Sequence, residues 1–268
     1  MPGPEAQALK SELALLEEKA REAGKIALKF FGGDYKSWSK SGGSPVTEAD
    51  LAIDAFLKTS LRAARPDHGW LSEESVDDPA RLQSSRLFIV DPIDGTMAFL
   101  KNRPHFTICI ALVESGRPLA GVVFNPATDE CFTAHLGGGA HLNGAPIHVG
   151  THAILAGCRM LGQKALFEDP ANHWPAMTIE NFSSIAYRLA LVAAGRFDAM
   201  VSLTVKRDWD LAAADIILAE AGGILCGADG ARPVYNLAPA TQGASIAAAP
   251  ALNAAILEHL PKLAKKGA

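Results

Sequence analysis

The sequence predicts a mixed α/β protein with an N-terminal α+β half, residues 1–150, and a C-terminal α/β half, residues 151–268. Three observations predict this class. The chain opens with helical periodicity, continues with apolar strand-like runs separated by turn residues, and alternates strand and helix patterns beyond about residue 150. With 268 residues, 49% of them apolar, the chain is long enough to bury a stable core without disulfide bonds or structural metal ions.

Two helices are predicted in the first quarter of the chain. Apolar residues recur at spacings of three and four from Leu9 to Phe30 and stop at a pair of glycines, which predicts the first helix. A polar loop follows. Thr47 then has the character of an N-cap, with Asp50 three positions later, and a second apolar-periodic stretch runs on to Leu61.

The middle of the chain changes to strand patterns. Residues 87–90, 106–113 and 119–124 are apolar runs typical of strands, and Ser115-Gly116 and Asn143-Gly144 are typical turn pairs. We therefore expect largely antiparallel strands here.

The last part of the chain alternates between strand and helix patterns. A helix is predicted over 187–194, a strand over 197–201 and a helix over 209–221 that closes at two glycines. Since no low-complexity linker separates the halves, we expect them to share one packed body.

Composition excludes several classes of partner. The chain carries 25 basic and 29 acidic residues, a net charge of −4, without a basic block, so neither a nucleic-acid polymer nor an anionic membrane is expected to bind. The N-terminus lacks a secretory signal pattern and no apolar run approaches the roughly 20 residues that span a bilayer, so a cytoplasmic location is expected. The four cysteines are widely spaced and are expected to be buried and reduced.

The strongest chemical signal is the segment from Asp91 to Thr96. An apolar strand delivers Asp91 to its end, and Gly95 allows close backbone approach to a ligand. If the chain turns helical after Pro92, Asp91 and Asp94 become neighbours at roughly 5 to 6 Å between Cβ atoms and bracket a hard divalent cation. The N–H groups of Gly95 and Thr96 would then face an anion, preferably a phosphate.

The same segment is also typical of an ordinary turn with a helix cap, because Asp, Pro and Gly are standard turn residues. Additional carboxylates favour the metal site: Glu73 and Glu74 lie just upstream of the strand, and Asp210 begins a later helix. Asp210 is equally compatible with an acid that complements the helix dipole.

Two long stretches resemble the signatures of one family. Residues 91–96, followed by Phe99 and Lys101, resemble the first signature of the inositol monophosphatase superfamily of magnesium-dependent, lithium-sensitive phosphatases. Residues 209–214, running on to 220–223, are similar to the second signature. The resemblance also covers residues 47–50, 73–74, 195–198 and 235–236, and so spans nearly the whole chain.

The resemblance implies a role for each matching residue. It implies two or three Mg²⁺ ions per site, with ligands Glu73, Asp91, the Ile93 carbonyl, Asp94 and Asp210. Asp91 would bridge two ions, and such oxygen ligands suit magnesium better than zinc. Glu73 and Thr96, with Thr47 and Asp50 behind them, are expected to position and deprotonate the attacking water, and Glu74 is expected to lie just behind the ligands. The expected substrate contacts are Asp94, Gly95, Thr96, Ser184, Lys206, Arg207 and Asp210.

The substrate is left open among three phosphate esters. Family members that use inositol phosphates carry an acid shortly before the tryptophan-aspartate pair, whereas residues 200–206 here have none. Residues 44–50 and 71–74 look more like bacterial 3'(2'),5'-bisphosphate nucleotidases, with Lys206 and Arg207 suited to an extra phosphate. We therefore expect a phosphomonoesterase for 3'-phosphoadenosine 5'-phosphate, with inositol 1-phosphate and then histidinol phosphate as alternatives. Ser72 and Ser183 stand where the family commonly has glycine.

The resemblance also implies the architecture. It predicts a layered αβαβα sandwich whose two halves meet at the metal cleft, and a homodimer. A protein of a different class, a catalytically silent relative that acts as a binding or assembly partner, stays an alternative, although every expected carboxylate is present.

Overall fold

A computed structural model describes residues 4–40 and 43–264 of the chain. Residues 1–3, part of the N-terminus considered above, and residues 41–42 of the predicted polar loop lie outside the described residues. Within these limits the α-helices are α1 (Pro4–Phe30), α2 (Glu48–Ala64), α3 (Thr96–Leu100), α4 (Lys164–Glu168), α5 (Ile185–Ala193), α6 (Asp208–Glu220) and α7 (Pro250–Ala264).

The strands form one large sheet, one smaller sheet and two short pairs. In chain order they are β1 (Ser37–Ser39), β2 (Pro45–Thr47), β3 (Gly69–Ser72), β4 (Arg86–Asp94), β5 (Thr107–Glu114), β6 (Arg117–Asn125), β7 (Glu130–His135), β8 (Ala140–Leu142), β9 (Ala145–Ile147), β10 (Arg159–Leu161), β11 (Thr178–Glu180), β12 (Ala199–Ser202), β13 (Lys206–Arg207), β14 (Ile224–Cys226), β15 (Thr241–Gln242) and β16 (Ser245–Ala248).

The large sheet has the order β3-β4-β5-β6-β7-β8-β9 and is antiparallel apart from the parallel pair β3 and β4. The smaller sheet has the order β11-β10-β12-β16-β14, with β11, β10 and β12 parallel. The predicted antiparallel character of the first half and the α/β character of the second are both confirmed.

Five layers stack on one another. Helices α1 and α2 cover one face of the large sheet, and α5 and α6 cover its other face. The smaller sheet packs against the far side of α5 and α6, and α7 packs beyond it. This arrangement is the predicted αβαβα sandwich.

The large sheet is buried on both faces, which explains its continuous apolar runs. On β4, Leu87 and Ile89 belong to the core shared with α5 and α6, whereas Phe88 and Val90 belong to the core under α1 and α2. A Cβ atom at Gly121 on β6 would lie 2.5 Å from the Ala213 carbonyl oxygen, so glycine lets α6 approach the sheet closely.

The predicted helices and strands are present, whereas α4, α7 and most of the short strands were not predicted. The helix predicted over 187–194 is α5, and the one predicted over 209–221 is α6. All four cysteines are buried and free, as expected. Among the described helices, none is long and apolar enough to cross a membrane. The chain passes from the large to the smaller sheet between Ile147 and Arg159, and the domain boundary at 150 stays a prediction.

Candidate active site

The end of β4 carries two of the predicted metal ligands, Asp91 and Asp94. Asp91 pairs with Cys109 on β5 and Asp94 with Thr107, so three residue steps on β4 lie opposite two on β5. Such a bulge interrupts the alternation of side chains, which would otherwise send residues three apart to opposite faces. The helix considered directly after Pro92 is therefore wrong: the strand continues through Asp94, and α3 begins at Thr96.

Gly95 turns the chain between strand and helix. Its φ of 97° lies in the left-handed region, which side chains rarely adopt. A Cβ atom at this position would also lie 3.0 Å from the His105 carbonyl oxygen. Conformation and space both require glycine here.

The third acid reaches the site from the opposite half of the chain. Asp210 lies in the first turn of α6, where its side chain accepts a hydrogen bond of 2.8 Å from the Arg207 N–H. One carboxylate oxygen from each of Asp91, Asp94 and Asp210 lies within 4.8 Å of the others. We call these three residues the carboxylate cluster.

Burial makes the carboxylate cluster electrostatically costly. Asp91 is 1% exposed, and its buried Oδ1 atom has no hydrogen-bond partner among the residues that the structure describes. Burial, and then the negative charge of Glu73, raises the pKa of Asp91 well above its usual range. Burial, followed by the charge of Asp94, raises the pKa of Asp210 to about 7. A divalent cation would offset this repulsion.

Asp94 is held by groups on α5. Its Oδ2 atom accepts hydrogen bonds from the Ser184 hydroxyl at 2.7 Å and from the Ala186 N–H at 2.6 Å. The Ser184 hydroxyl also caps α5 by accepting from the Tyr187 N–H. Ser184 is fully buried, so the structure places it as an orienting group for Asp94, and direct substrate contact by Ser184 stays a prediction.

Glu73 and Glu74 are engaged by a lysine that the sequence reasoning missed. The Lys40 Nζ atom lies 2.9 Å from Glu73 Oε1 and 2.6 Å from Glu74 Oε1. Burial raises the pKa of Glu74 to about 7 despite its hydrogen bond from Lys40. Glu73 is close enough to affect Asp91 and Asp210 electrostatically but is not part of the carboxylate cluster.

Thr47 and Asp50 form the predicted capping box at the start of α2. The Thr47 hydroxyl and N–H both donate to Asp50 Oδ2, at 2.5 and 2.8 Å, and the Asp50 N–H donates to Thr47 Oγ1 at 3.4 Å. Both residues are buried. Burial raises the pKa of Asp50 to about 6, with a further contribution from the charge of Glu73.

Thr96 and Ile93 face each other across the turn. The Thr96 hydroxyl donates to the Ile93 carbonyl oxygen at 3.2 Å. A carbonyl oxygen has two lone pairs, so this contact leaves Ile93 able to accept another partner.

Two basic residues interact electrostatically with the carboxylate cluster, and a third follows one of them in the sequence. Lys206 is half-buried and interacts electrostatically with Asp210, and burial lowers its pKa. Arg188 is 9% exposed and interacts electrostatically with Asp94, and within the described part of the chain its buried Nε atom has no hydrogen-bond partner. Arg207 is exposed, with its guanidinium 6.0 Å from the centre of the Trp209 ring. Sequence reasoning missed Arg188, although a charged residue within the apolar stretch 185–193 was a usable signal.

The donor set fits a hard divalent cation. The carboxylate cluster offers only oxygen ligands, and the Ile93 carbonyl lies one residue from Asp94. Asp91 Oδ1 accepts no hydrogen bond from residues 4–40 or 43–264. Oxygen-only ligation with several carboxylates is what Mg²⁺ prefers.

The layered fold and this acidic cleft define a metal-dependent phosphatase class. A profile of the inositol monophosphatase family matches residues 8–265. The chain belongs to the inositol monophosphatase family, whose members are Mg²⁺-dependent phosphatases.

Several curated proteins are similar along most of their length. The inositol-1-monophosphatase of Rhizobium meliloti strain 1021 is 34% identical over 231 residues, covering 81% of this chain and 86% of that protein. The Nus factor SuhB of Pasteurella multocida is 33% identical over 259 residues, covering 90% and 92%. The histidinol-phosphatase of Chlorobaculum parvum is 34% identical over 220 residues, covering 79% and 84%.

Solved structures share the fold. The Thermotoga maritima IMPase superposes with a TM-score of 0.83 at 28% identity, covering 96% of this chain and 99% of that one. The extragenic suppressor protein suhB of Bartonella henselae superposes with a TM-score of 0.81 at 28% identity, covering 93% and 98%.

Proposed function

We propose that the protein hydrolyses the phosphate monoester of a small metabolite that carries a second anionic group, with 3'-phosphoadenosine 5'-phosphate as the favoured substrate. The observation that carries this proposal is the pair of cations beside the carboxylate cluster. Arg188 and Lys206 both interact with Asp94 electrostatically, and they also repel each other. Two neighbouring cations beside the acids of a phosphatase site suit a ligand with more than one anionic group.

Asp91, Asp94 and Asp210 would hold the metal, together with the Ile93 carbonyl and with Glu73 once it is released from Lys40. We propose two or three Mg²⁺ ions. When bound, such ions supply Lewis acidity that lowers the pKa of water and offsets the charge of the phosphate.

The protein's own groups then orient and deprotonate the attacking water. The Thr47 hydroxyl donates to Asp50, so its lone pairs are available to accept a hydrogen bond from that water. Asp50 is the final acceptor in this pair. The Thr96 hydroxyl stabilises the turn by donating a hydrogen bond to the Ile93 carbonyl oxygen. The N–H groups of Gly95 and Thr96, at the start of α3, would donate hydrogen bonds to phosphate oxygens.

The segment just before Lys206 is apolar and exposed, which suits a substrate whose alcohol carries an aromatic base better than a polyol phosphate. Leu203 and Val205 precede Lys206 and are 46% and 70% exposed. An adenine ring gains by covering apolar side chains, whereas the hydroxyls of inositol would lose contact with water. This contrast supports the nucleotide ahead of inositol 1-phosphate and histidinol phosphate.

Steady-state kcat/KM on the three candidate esters tests the proposal. We expect the highest value for 3'-phosphoadenosine 5'-phosphate and a selective loss of this preference in Lys206→Met and Arg188→Lys. Lys36→Met removes the charge of an exposed lysine elsewhere in the chain and is the control. If the relative rates on the three esters are the same in Lys206→Met and the parent protein, Lys206 does not select the substrate.

A second candidate function follows from the relatives named Nus factor SuhB. A protein of that kind could act as a binding or assembly partner in place of catalysis. Release of phosphate from p-nitrophenyl phosphate with and without Mg²⁺ separates the two, because a silent relative would show no metal-dependent release. The homodimer, the cytoplasmic location and lithium inhibition stay predictions.

A further inference from the structure

A cavity of about 350 Å³ opens beside the C-terminal half of α6. Its floor is apolar and includes Leu119 from β6, Ile216 from α6 and Leu225 from β14. Leu136, the residue after β7, also lines the cavity and is 52% exposed. Among the described residues, the lining shares none with the carboxylate cluster, so this cavity is separate from the catalytic cleft.

The two acids in the lining are already used by the protein. Glu220 accepts hydrogen bonds from the N–H groups of Gly137 and Gly139, at 2.9 and 2.8 Å, through its two carboxylate oxygens. Asp215 accepts a hydrogen bond of 2.9 Å from the Tyr235 hydroxyl. These carboxylates hold neighbouring loops in place.

The two arginines in the lining are not used in this way. Arg117 and Arg232 are exposed, and within the part of the chain that the structure describes neither guanidinium makes a hydrogen bond or an ion pair. Both lie close enough to Asp215 to lower its pKa, although burial is the larger effect and raises that pKa to about 6. The free donors at the cavity are therefore two guanidinium groups.

We infer that this cavity binds a small organic acid with an apolar body, at a site distinct from the catalytic cleft. The apolar part would cover Leu119 and the exposed Leu136, and the acid group would accept hydrogen bonds from Arg117 and Arg232. Guanidinium groups suit this task because they present paired donors to a carboxylate. The volume lies at the lower end of the range of about 300 to 1,000 Å³ for small-molecule sites, which limits the ligand to one or two rings.

Helix α6 connects this cavity to the catalytic cleft. Ile216 follows Asp210 by six residues on the same helix, a rise of about 9 Å. A ligand here would contact the same rigid element that carries a member of the carboxylate cluster.

Calorimetric titration of the full chain with 2-naphthoate, without divalent metal, tests the inference. We expect saturable binding with one ligand per chain. Arg117→Gln and Arg232→Gln should each weaken it by about tenfold, the effect of losing one charge-assisted hydrogen bond. Ala219→Phe should abolish binding, because Ala219 is exposed on α6 and lines the cavity, so a larger side chain fills it without changing any charge.

Two controls separate this site from others. Arg62→Gln removes an exposed arginine outside the cavity and should leave the affinity unchanged. Asp91→Asn should also leave it unchanged, and loss of binding in that variant would assign the probe to the catalytic cleft and overturn the inference. The inference is equally overturned by an absence of saturable binding, or by an affinity that neither the arginine variants nor Ala219→Phe alters.

Discussion

The two acidic sides of the catalytic cleft differ in how their charge is compensated. In the carboxylate cluster, three acids lie close together, and Asp91 Oδ1 has no hydrogen-bond partner in the described chain. On the α2 side, Lys40 bridges Glu73 and Glu74, and Asp50 is engaged by Thr47. Among the described residues, no cation forms an ion pair with the carboxylate cluster, whereas Lys40 contacts both Glu73 and Glu74. We therefore propose that a metal ion binds first at the carboxylate cluster and that Lys40 competes with it for Glu73.

The largest effect is expected from Asp91→Asn. Asp91 is the proposed bridging ligand, so its replacement would remove the metal that the reaction needs, and turnover should fall on the order of 10³-fold or more. The fold should persist, because the change removes a buried and repelled charge. The measurements are kcat/KM and a thermal melt in chelator.

Glu12→Gln is a matched control for this variant, since Glu12 is also a buried acid with an unpartnered oxygen but lies on α1. Its activity should stay within about twofold of the parent protein. Near-parental activity of Asp91→Asn would mean that the metal assignment is wrong.

The next effect is stabilisation by Mg²⁺. A cation that binds only the folded protein should stabilise it by about 2.7 kcal/mol at 100 times its Kd. Thermal melts with and without Mg²⁺ measure this shift, which should disappear in Asp91→Asn and persist in Glu12→Gln. An equal shift in Asp91→Asn and the parent protein would place the cation elsewhere.

A smaller effect is expected from Lys40→Met, which changes the charge on the α2 side of the cleft. Without Lys40, no other described cation forms an ion pair with Glu73 or Glu74, so a divalent cation that binds Glu73 should bind more tightly, by about tenfold, because a competing charge-assisted contact is removed. Mn²⁺ titration followed by electron paramagnetic resonance measures the affinity of each site. Lys36→Met serves as the control, and weaker Mn²⁺ binding in Lys40→Met would show that Lys40 supports the metal.

The smallest effect concerns the capping box. Thr47→Ala should lower the free energy of unfolding by about 1 kcal/mol, because α2 loses its N-cap, whereas Thr47→Ser retains the hydroxyl and should cost less. Urea unfolding measures the stability. If folded Thr47→Ala also loses turnover while Thr47→Ser retains it, Thr47 has the catalytic role implied by the resemblance; retained turnover in both variants would leave it as a cap alone.

Sequence reasoning succeeded where the interaction is local. The Thr47–Asp50 cap was visible because its partners are three residues apart. It was wrong about the backbone after Pro92, because a bulge set by pairing with β5 holds the strand through Asp94. It missed Lys40, whose contact with Glu73 spans 33 residues.

The main helices and strands, the turn at Gly95 and the set of acids could be predicted from the sequence, since they follow from side-chain periodicity and short-range hydrogen bonds. Which acids meet, and which of them contact a cation, depends on the packing of elements that are distant in the chain. Packing α6 against the large sheet brings Asp210 to Asp91, and the β1–β2 pair brings Lys40 to Glu73. Burial and charge pairing depend on distances in space, and chain spacing does not encode them.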